Sequence, residues 1–300
     1  MTSKSPFLEL AIDLCWRQWT ALGVAGDASQ KGHAIVDPEA LVLFTGALGS
    51  IDPRLRDESI DWCARYGSKV ASASRMKHLL AHHKDANAGR FIATVNKVAK
   101  TRWPLAEGKP WTVELSGKSR LPSCEKQASL ARIQFRSLFG CNARAEVFLA
   151  LAMHRDIQNG FVSASSLRTV GYSRRNIAFV LEDLERASLL ERRLGGNQAH
   201  YRLKKGGALR KLAPSISTAV LVPWHLVFRV LITAVRFERA QSDTAPLIRS
   251  IEAQRLVSNL APVLGDIGLL APQPVRGQEE AFGAHVMNWL IEVLVPEAWR

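Results

Sequence analysis

The segment spanning residues 142–205 constrains the fold more than any other part of the chain, because it holds several different patterns in a fixed order. Three short helical patterns come first. Two strand-like runs, 189–194 and 200–203, follow them on either side of a Gly195-Gly196-Asn197 tip. Glycine and asparagine accept the positive φ angles that a tight hairpin turn needs. The order therefore predicts three helices and a small β-hairpin in one domain.

Local signals mark where these helices begin and end. A residue whose side chain can cap a helix precedes each pattern: Asn142 before 143–154, Ser163 before 164–170 and Ser173 before 174–187. Gly171 lies where a left-handed residue would end the second helix. Ile177, Leu181 and Leu184 have the i, i+4, i+7 spacing of a stripe that faces a core. The opposite face of the third helix is therefore predicted to meet solvent or a partner.

This order of elements resembles the winged helix-turn-helix, the DNA-reading module of bacterial regulators of the MarR and ArsR type. The resemblance implies that the N-terminal end of the third helix enters the major groove and that the hairpin, or wing, contacts the backbone or the minor groove. It assigns DNA contacts to Ser173, Arg174, Arg175, Asn176, Arg192, Arg193, Asn197, Gln198, His200, Arg202, Lys204 and Lys205.

The chemistry of these residue types suits the assigned roles. Arg174 and Arg175 can read guanine, and Asn176 can read adenine. Ser173 would meet a phosphate at the helix N-terminus, while the hairpin residues would hold the backbone. Phe179 departs from the family pattern because it is apolar, and the acidic pair 182–183 opposes phosphate. The expected contact zone is therefore the first turn of the third helix together with the wing.

Charge is concentrated in the same part of the chain. The chain carries 40 Lys and Arg against 27 Asp and Glu, a net charge of +13. Residues 120–211 alone hold 17 basic and 7 acidic residues, or +10, whereas residues 1–119 carry +4 and residues 212–300 carry −1. A localised basic excess is typical of a protein that binds a polyanion. The alternatives are a solvated basic surface and, less compatible with the pattern, a membrane surface.

Length and composition predict a mainly α protein with three parts. We expect a helical N-terminal domain with a connector (1–119), a central winged helix-turn-helix domain (120–211) and a helical C-terminal domain (212–300). All eight Trp residues lie outside 120–211, which predicts aromatic cores for the two flanking parts. The C-terminal part, with helical patterns over 223–239, 245–264 and 279–294, suits dimerisation, docking of a partner or effector, or an ordinary core.

The N-terminal part contains two matching helix starts. Asp37-Pro38 and Asp52-Pro53 each place a capping Asp before a first-turn Pro, and Gly49 and Gly67 follow the expected helix ends. The basic run 75–84 suggests a second helix-turn-helix, although a helical bundle with one solvated basic face is the favoured interpretation. Residues 111–115 suggest a short strand inside the connector.

Motifs for catalysis are missing from the sequence. It contains no P-loop, no GxGxxG after a strand, no GxSxG and no HExxH. His78 and His82, with His83 beside them, have ligand spacing, but no carboxylate or Cys supports them, so we predict no metal, cofactor or catalytic residue. The four Cys residues form no CxxC pair and no signal peptide is evident, which favours the cytoplasm. The apolar run 219–235 contains Pro223, His225 and Arg229 and predicts a buried helix rather than a membrane span.

Together these patterns favour a cytoplasmic, homodimeric transcriptional repressor that binds double-stranded DNA and has no enzymatic activity. A small-molecule effector or a protein partner would control it. The alternative is an interaction module, such as an antitoxin-like inhibitor, that binds an acidic protein partner. An enzyme without local motifs is the third hypothesis.

Overall fold

A computed structural model describes residues 5–25, 32–81, 85–104, 106–124, 127–153, 160–204, 216, 218–241, 244–274 and 279–294. The protein is mainly helical and has one small antiparallel sheet, as the sequence predicts at this level. The N-terminal helices are α1 (Pro6–Ala21), α2 (Pro38–Leu48), α3 (Pro53–Trp62), α4 (Ala73–Leu80) and α5 (Ala86–Ala99). The central elements are α6 (Ala131–Phe139), α7 (Ala143–Met153), β1 (Val162–Ser163), α8 (Arg174–Arg186), β2 (Leu190–Gly195) and β3 (Gln198–Leu203). The C-terminal helices are α9 (Trp224–Ala240), α10 (Pro246–Asp266) and α11 (Phe282–Leu294).

The capping signals of the N-terminal part are confirmed. The side chain of Asp37 accepts a hydrogen bond from the Ala40 amide at 3.3 Å, and that of Asp52 accepts one from the Leu55 amide at 2.9 Å. Each bond satisfies an amide that has no partner inside its helix.

Of the two glycines predicted to follow helix ends, one assignment is confirmed and the other was wrong. Gly49 directly follows α2, as predicted, with a φ of −62° instead of the left-handed conformation. Gly67 lies inside a π-helical turn, Cys63–Gly67, and not beyond a helix end. Any Cβ there would be 2.7 Å from the ring of Trp103, so close packing is what requires glycine at this position.

The sheet has the strand order β1-β3-β2. Val162 faces Tyr201 across the first pair, and the hairpin register runs from Leu190 opposite Leu203 to Gly195 opposite Gln198. The register leaves Gly196 and Asn197 as a two-residue turn. Of the tip residues, Gly196 alone has a positive φ (+59°), so the turn needs glycine only at its first position.

Two other predicted elements differ in the structure. Residues 164–170 form a turn followed by a 3-10 turn, Arg168–Val170, instead of an α-helix. The predicted strand at 111–115 is irregular, because no strand in the described part of the chain pairs with it.

Buried apolar side chains form two clusters. The first combines the N-terminal helices with α9, α10 and α11, and in it the rings of Phe44 and Phe228 stack at 4.2 Å. Trp19, Trp62 and Trp224 are fully buried, as the Trp distribution predicts for the flanking parts. The second cluster is built mostly from α6, α7, α8 and the sheet. The sequence predicts separate cores for the N- and C-terminal parts, but in the structure these two parts share one core. Among the described helices, none has the length and apolarity needed to cross a bilayer.

Candidate functional site

The start of α8 exposes the polar residues that the sequence singles out. The Ser173 side chain accepts a hydrogen bond from the Asn176 amide at 3.3 Å and so caps the helix. Arg174, Arg175 and Asn176 are exposed, while the Ile177, Leu181 and Leu184 stripe is buried as predicted. The stripe anchors one face of α8 in the core, so the first turn presents its two guanidinium groups and one amide to solvent.

The turn that leads into α8 is attached to α4. The Tyr172 hydroxyl lies 2.9 Å from the Ser72 hydroxyl, and Arg75 Nε donates to the carbonyl of Val170 at 2.8 Å. Gly171 has a φ of +80°, and a Cβ there would be 2.8 Å from Arg75 Nε. Glycine is therefore required for both conformation and space. These contacts fix the direction in which α8 leaves the core.

The hairpin carries the second group of predicted residues. Arg192, Arg193, Asn197, Gln198 and Lys204 are exposed, and His200 and Arg202 are half-buried. Lys205 lies outside the described residues.

The hairpin arginines differ in their partners. Arg202 pairs with Glu191, and its guanidinium lies 4.8 Å from the ring centre of Phe161. Arg192 approaches Glu185 at 3.9 Å. Arg193 and Lys204 form no ion pair with any described residue. The positive charge available to a partner is therefore concentrated on Arg193 and Lys204.

The first turn of α8 adds to this available charge. Arg174 forms neither an ion pair nor a side-chain hydrogen bond with the described residues, and the Arg175 guanidinium lies 5.3 Å from the ring centre of Phe179. At the other end of the helix, Asp183 pairs with Arg144 at 3.3 Å and with Arg186 at 3.1 Å. Charge along α8 is thus unbalanced at its start and largely neutralised at its end.

A buried ion network lies behind this surface, and the sequence did not predict it. It contains three carboxylates and three guanidiniums, each no more than 4% exposed: Asp37, Glu39, Arg75, Arg132, Arg136 and Glu146. Arg75 pairs with Glu39 at 2.8 Å, Arg132 with Glu146 at 2.9 Å, and Arg136 with Glu146 at 2.6 Å. The network therefore joins α4 and the start of α2 to α6 and α7, and it is neutral as a whole.

The electrostatics of the network favour the charged forms of Asp37, Glu146, Arg75 and Arg136, because each pKa is shifted in that direction. Burial alone would raise the pKa of Asp37, but Arg132 and Arg75 outweigh it and hold that pKa well below its usual value. The pKa of Glu146 is lowered in the same way, because Arg132 and Arg136 more than offset its burial. Arg75 belongs to the basic run 75–84, and its complete burial removes it from any surface that could meet DNA.

The candidate metal ligands and the thiols were also located in the structure. No group of three or more His, Cys, Asp or Glu among them could hold a metal ion. His82 and His83 lie outside the described residues, so the structure does not test whether His78 and His82 share a helix face. Burial raises the pKa of the Cys141 thiol to about 11, and burial also raises the pKa of Cys15. These thiols are therefore protonated near neutral pH and are poor nucleophiles.

Comparison of the chain with protein-family models, curated proteins and solved structures gives no match in any of the three.

Proposed function

We propose that this chain is a sequence-specific, double-stranded DNA-binding transcriptional regulator built around a winged helix-turn-helix. The observation that carries the proposal is the set of exposed basic side chains without carboxylate partners at the start of α8 and on the hairpin: Arg174, Arg175, Arg193 and Lys204. A polyanion supplies the counter-charge that the described residues do not.

The order of elements supports the same proposal. Helix α7, strand β1, the 164–170 turn, helix α8 and the β2-β3 hairpin follow one another, and β1 closes the sheet against β3. In a winged helix-turn-helix the second helix of the motif reads base edges and the hairpin contacts the backbone. Helix α8 would then enter the major groove with Arg174, Arg175 and Asn176.

The ion pairs within the hairpin region indicate which of its residues should contribute most to DNA binding. Arg193 and Lys204 would contact phosphates, since no described carboxylate competes for them. Arg192 and Arg202 would contribute less, because Glu185 and Glu191 already neutralise part of their charge.

Salt dependence tests the proposal directly. The affinity of the full chain for duplex DNA should fall steeply as salt rises, because each neutralised phosphate releases bound cations. Arg193→Ala should weaken binding to all sequences and reduce the slope of log affinity against log salt by about 1. A wild-type affinity that does not change with salt would mean that no phosphates are bound and would reject the proposal.

Helix α10 supports a homodimer of the regulator. Leu247, Ile248 and Ile251 lie close together on this helix and are each about half exposed. Regulators that read two half-sites are commonly two-fold dimers. Ile251→Lys should convert the dimer to a monomer in light scattering, whereas Glu252→Lys next to it should leave the dimer intact. A wild-type chain that is monomeric at working concentrations would exclude this interface.

A second candidate function is binding of an acidic protein partner. Phe179 is 51% exposed and Leu194 is 68% exposed, both on the basic module, and an apolar side chain amid basic ones suits a protein surface. This candidate predicts that Phe179→Ala and Leu194→Ala abolish capture of an acidic protein, while salt-dependent DNA binding is absent from the wild type.

A further inference from the structure

A cleft of about 310 Å³ opens where three parts of the molecule meet. Its walls come from α4, the turn that leads into α8, the start of α9 and the end of α10. This volume is at the lower end of the range for small-molecule sites.

The lining of the cleft is rich in basic groups. It includes three guanidinium groups, from Arg168, Arg174 and Arg229, and the imidazoles of His78 and His225. The one carboxylate on the wall, Asp266, is already paired with Arg168. The guanidinium groups of Arg174 and Arg229 therefore have no carboxylate partner in the lining of the cleft.

Two of these arginines have no partner in the described part of the chain. Neither Arg174 nor Arg229 donates a side-chain hydrogen bond or forms an ion pair with any residue in the described ranges. Arg229 is also half-buried, so its guanidinium is less hydrated than one on an open surface. Removing a charge from water without a partner is unfavourable. An anion in the cleft would relieve that cost.

The rest of the lining limits the type of anion. Leu79, Tyr172 and Leu226 add apolar surface to the walls. An apolar wall with a few convergent charged groups is the usual composition of a small-molecule site. The ligand should therefore combine an anionic group with a compact apolar or aromatic body.

We propose that this cleft binds a small molecule that carries a phosphate or a carboxylate group, held by Arg229 and Arg174. Arg229 is the central residue because it contributes nothing to the proposed DNA-reading surface. Arg174 belongs to both surfaces, so a bound ligand and DNA would compete for one guanidinium. This regulatory consequence rests on the proposed function, whereas ligand binding does not. Linkage requires that each would weaken the other by the same factor.

The test is made on the full chain in the absence of DNA. Thermal unfolding and calorimetry are followed with inorganic phosphate, AMP and benzoate, each up to about 10 mM because weak sites have Kd values near 1 mM. Sodium chloride at matched ionic strength is the control. At least one probe should raise the Tm in a saturable way, since a ligand that binds only the native state stabilises it by mass action.

Variants assign the binding to the cleft. Arg229→Ala and Arg229→Gln should weaken binding of that probe by about tenfold or more, because a charge-assisted hydrogen bond is lost. Arg239→Ala removes the same charge from an exposed position on α9 and should bind like the wild type. Circular dichroism checks that each variant is folded, and the Gln variant retains more of the side-chain packing than Ala.

Three results would overturn the proposal. One is that no probe gives a saturable effect beyond that of sodium chloride. Another is that both Arg229 variants bind the probe as the wild type does. The last is that Arg229→Gln weakens DNA binding and lowers its salt slope by about 1 while no probe binds. The cleft would then hold a DNA phosphate. Because the first two measurements contain no DNA, failure of the proposed function leaves them interpretable.

Discussion

Two groups of arginines in this protein have the same side-chain chemistry and opposite surroundings. Arg75, Arg132 and Arg136 are buried, and each is paired with carboxylates from another element. Arg174 and Arg193 are exposed and have no carboxylate partner among the described residues. The comparison separates arginines whose counter-charge the fold supplies from arginines whose counter-charge, in the proposed function, a polyanion would supply.

The comparison also changes the meaning of the charge count. The excess of +10 in residues 120–211 includes Arg132 and Arg136, which are buried and paired with buried carboxylates. Their charges are balanced partly by Glu146 and partly by Asp37 and Glu39, which lie in the N-terminal part. The basic surface available to a polyanion is therefore smaller than the count indicates.

The largest expected effect comes from breaking the buried group. Glu146→Ala removes the carboxylate shared by Arg132 and Arg136 and should lower the free energy of unfolding by about 3–5 kcal/mol, because two buried charges lose a partner. Asp183→Ala, which breaks exposed pairs with Arg144 and Arg186, should cost no more than about 1 kcal/mol. Urea unfolding measures both variants. Equal losses of unfolding free energy in the two variants would contradict the distinction between the buried and the exposed arginines.

Acidic pH should remove the stability that the buried ion network contributes to the folded state. The folded-state pKa values of Asp37 and Glu146 lie below those of an unfolded chain, which are about 3.9 and 4.3. The native state therefore binds fewer protons than the unfolded state as the pH falls through this range. The stability from these groups is fully present at neutral pH and is lost progressively below about pH 5.

Urea unfolding between pH 7 and pH 3 checks this expectation. The midpoint of the wild type should fall steeply in acid, and Glu146→Gln should show a shallower fall because one of the titrating groups is gone. Asp183→Asn should follow the wild-type curve. A wild-type midpoint that stays constant down to pH 3 would contradict the lowered pKa values.

A smaller effect is expected from the exposed group. Arg174→Ala should weaken binding to the cognate DNA site by about 1–3 kcal/mol and relax the base preference at one position, with no loss of folding stability. Arg186→Ala, at the far end of the same helix, should change binding little, since Asp183 already neutralises Arg186. Selection of bound DNA sequences and fluorescence titration provide the readouts. Similar losses in the two variants would place the contact zone along the whole helix.

Elements with local causes could be predicted from the sequence. The Asp37 and Asp52 caps, the Ile177, Leu181 and Leu184 stripe and the positive φ of Gly171 all depend on neighbours within a few residues. The same reasoning failed for Gly67, because the ring that requires a glycine there belongs to Trp103, far along the chain.

The buried network could not be predicted for a related reason. Arg132 and Arg136 have the i, i+4 spacing of a solvated helix face, and Arg75 begins a basic run. Asp37 was interpreted only as a helix cap, although it also accepts from Arg75. The partners lie on four helices, of which only α6 and α7 are neighbours in sequence, so their packing is what reveals that these charges are paired.

The contacts of Arg75 with Val170 and of Tyr172 with Ser72 have a consequence for how gene recombination can transfer this segment. A gene fusion that carried residues 120–211 into another protein would leave behind Ser72, Arg75 and two of the three carboxylates that neutralise Arg132 and Arg136. The transferred segment would retain Glu146 alone for two guanidiniums. Recombination could move this segment productively only together with α2 and α4, so the unit that evolution can exchange is larger than the unit that would contact DNA in the proposed function.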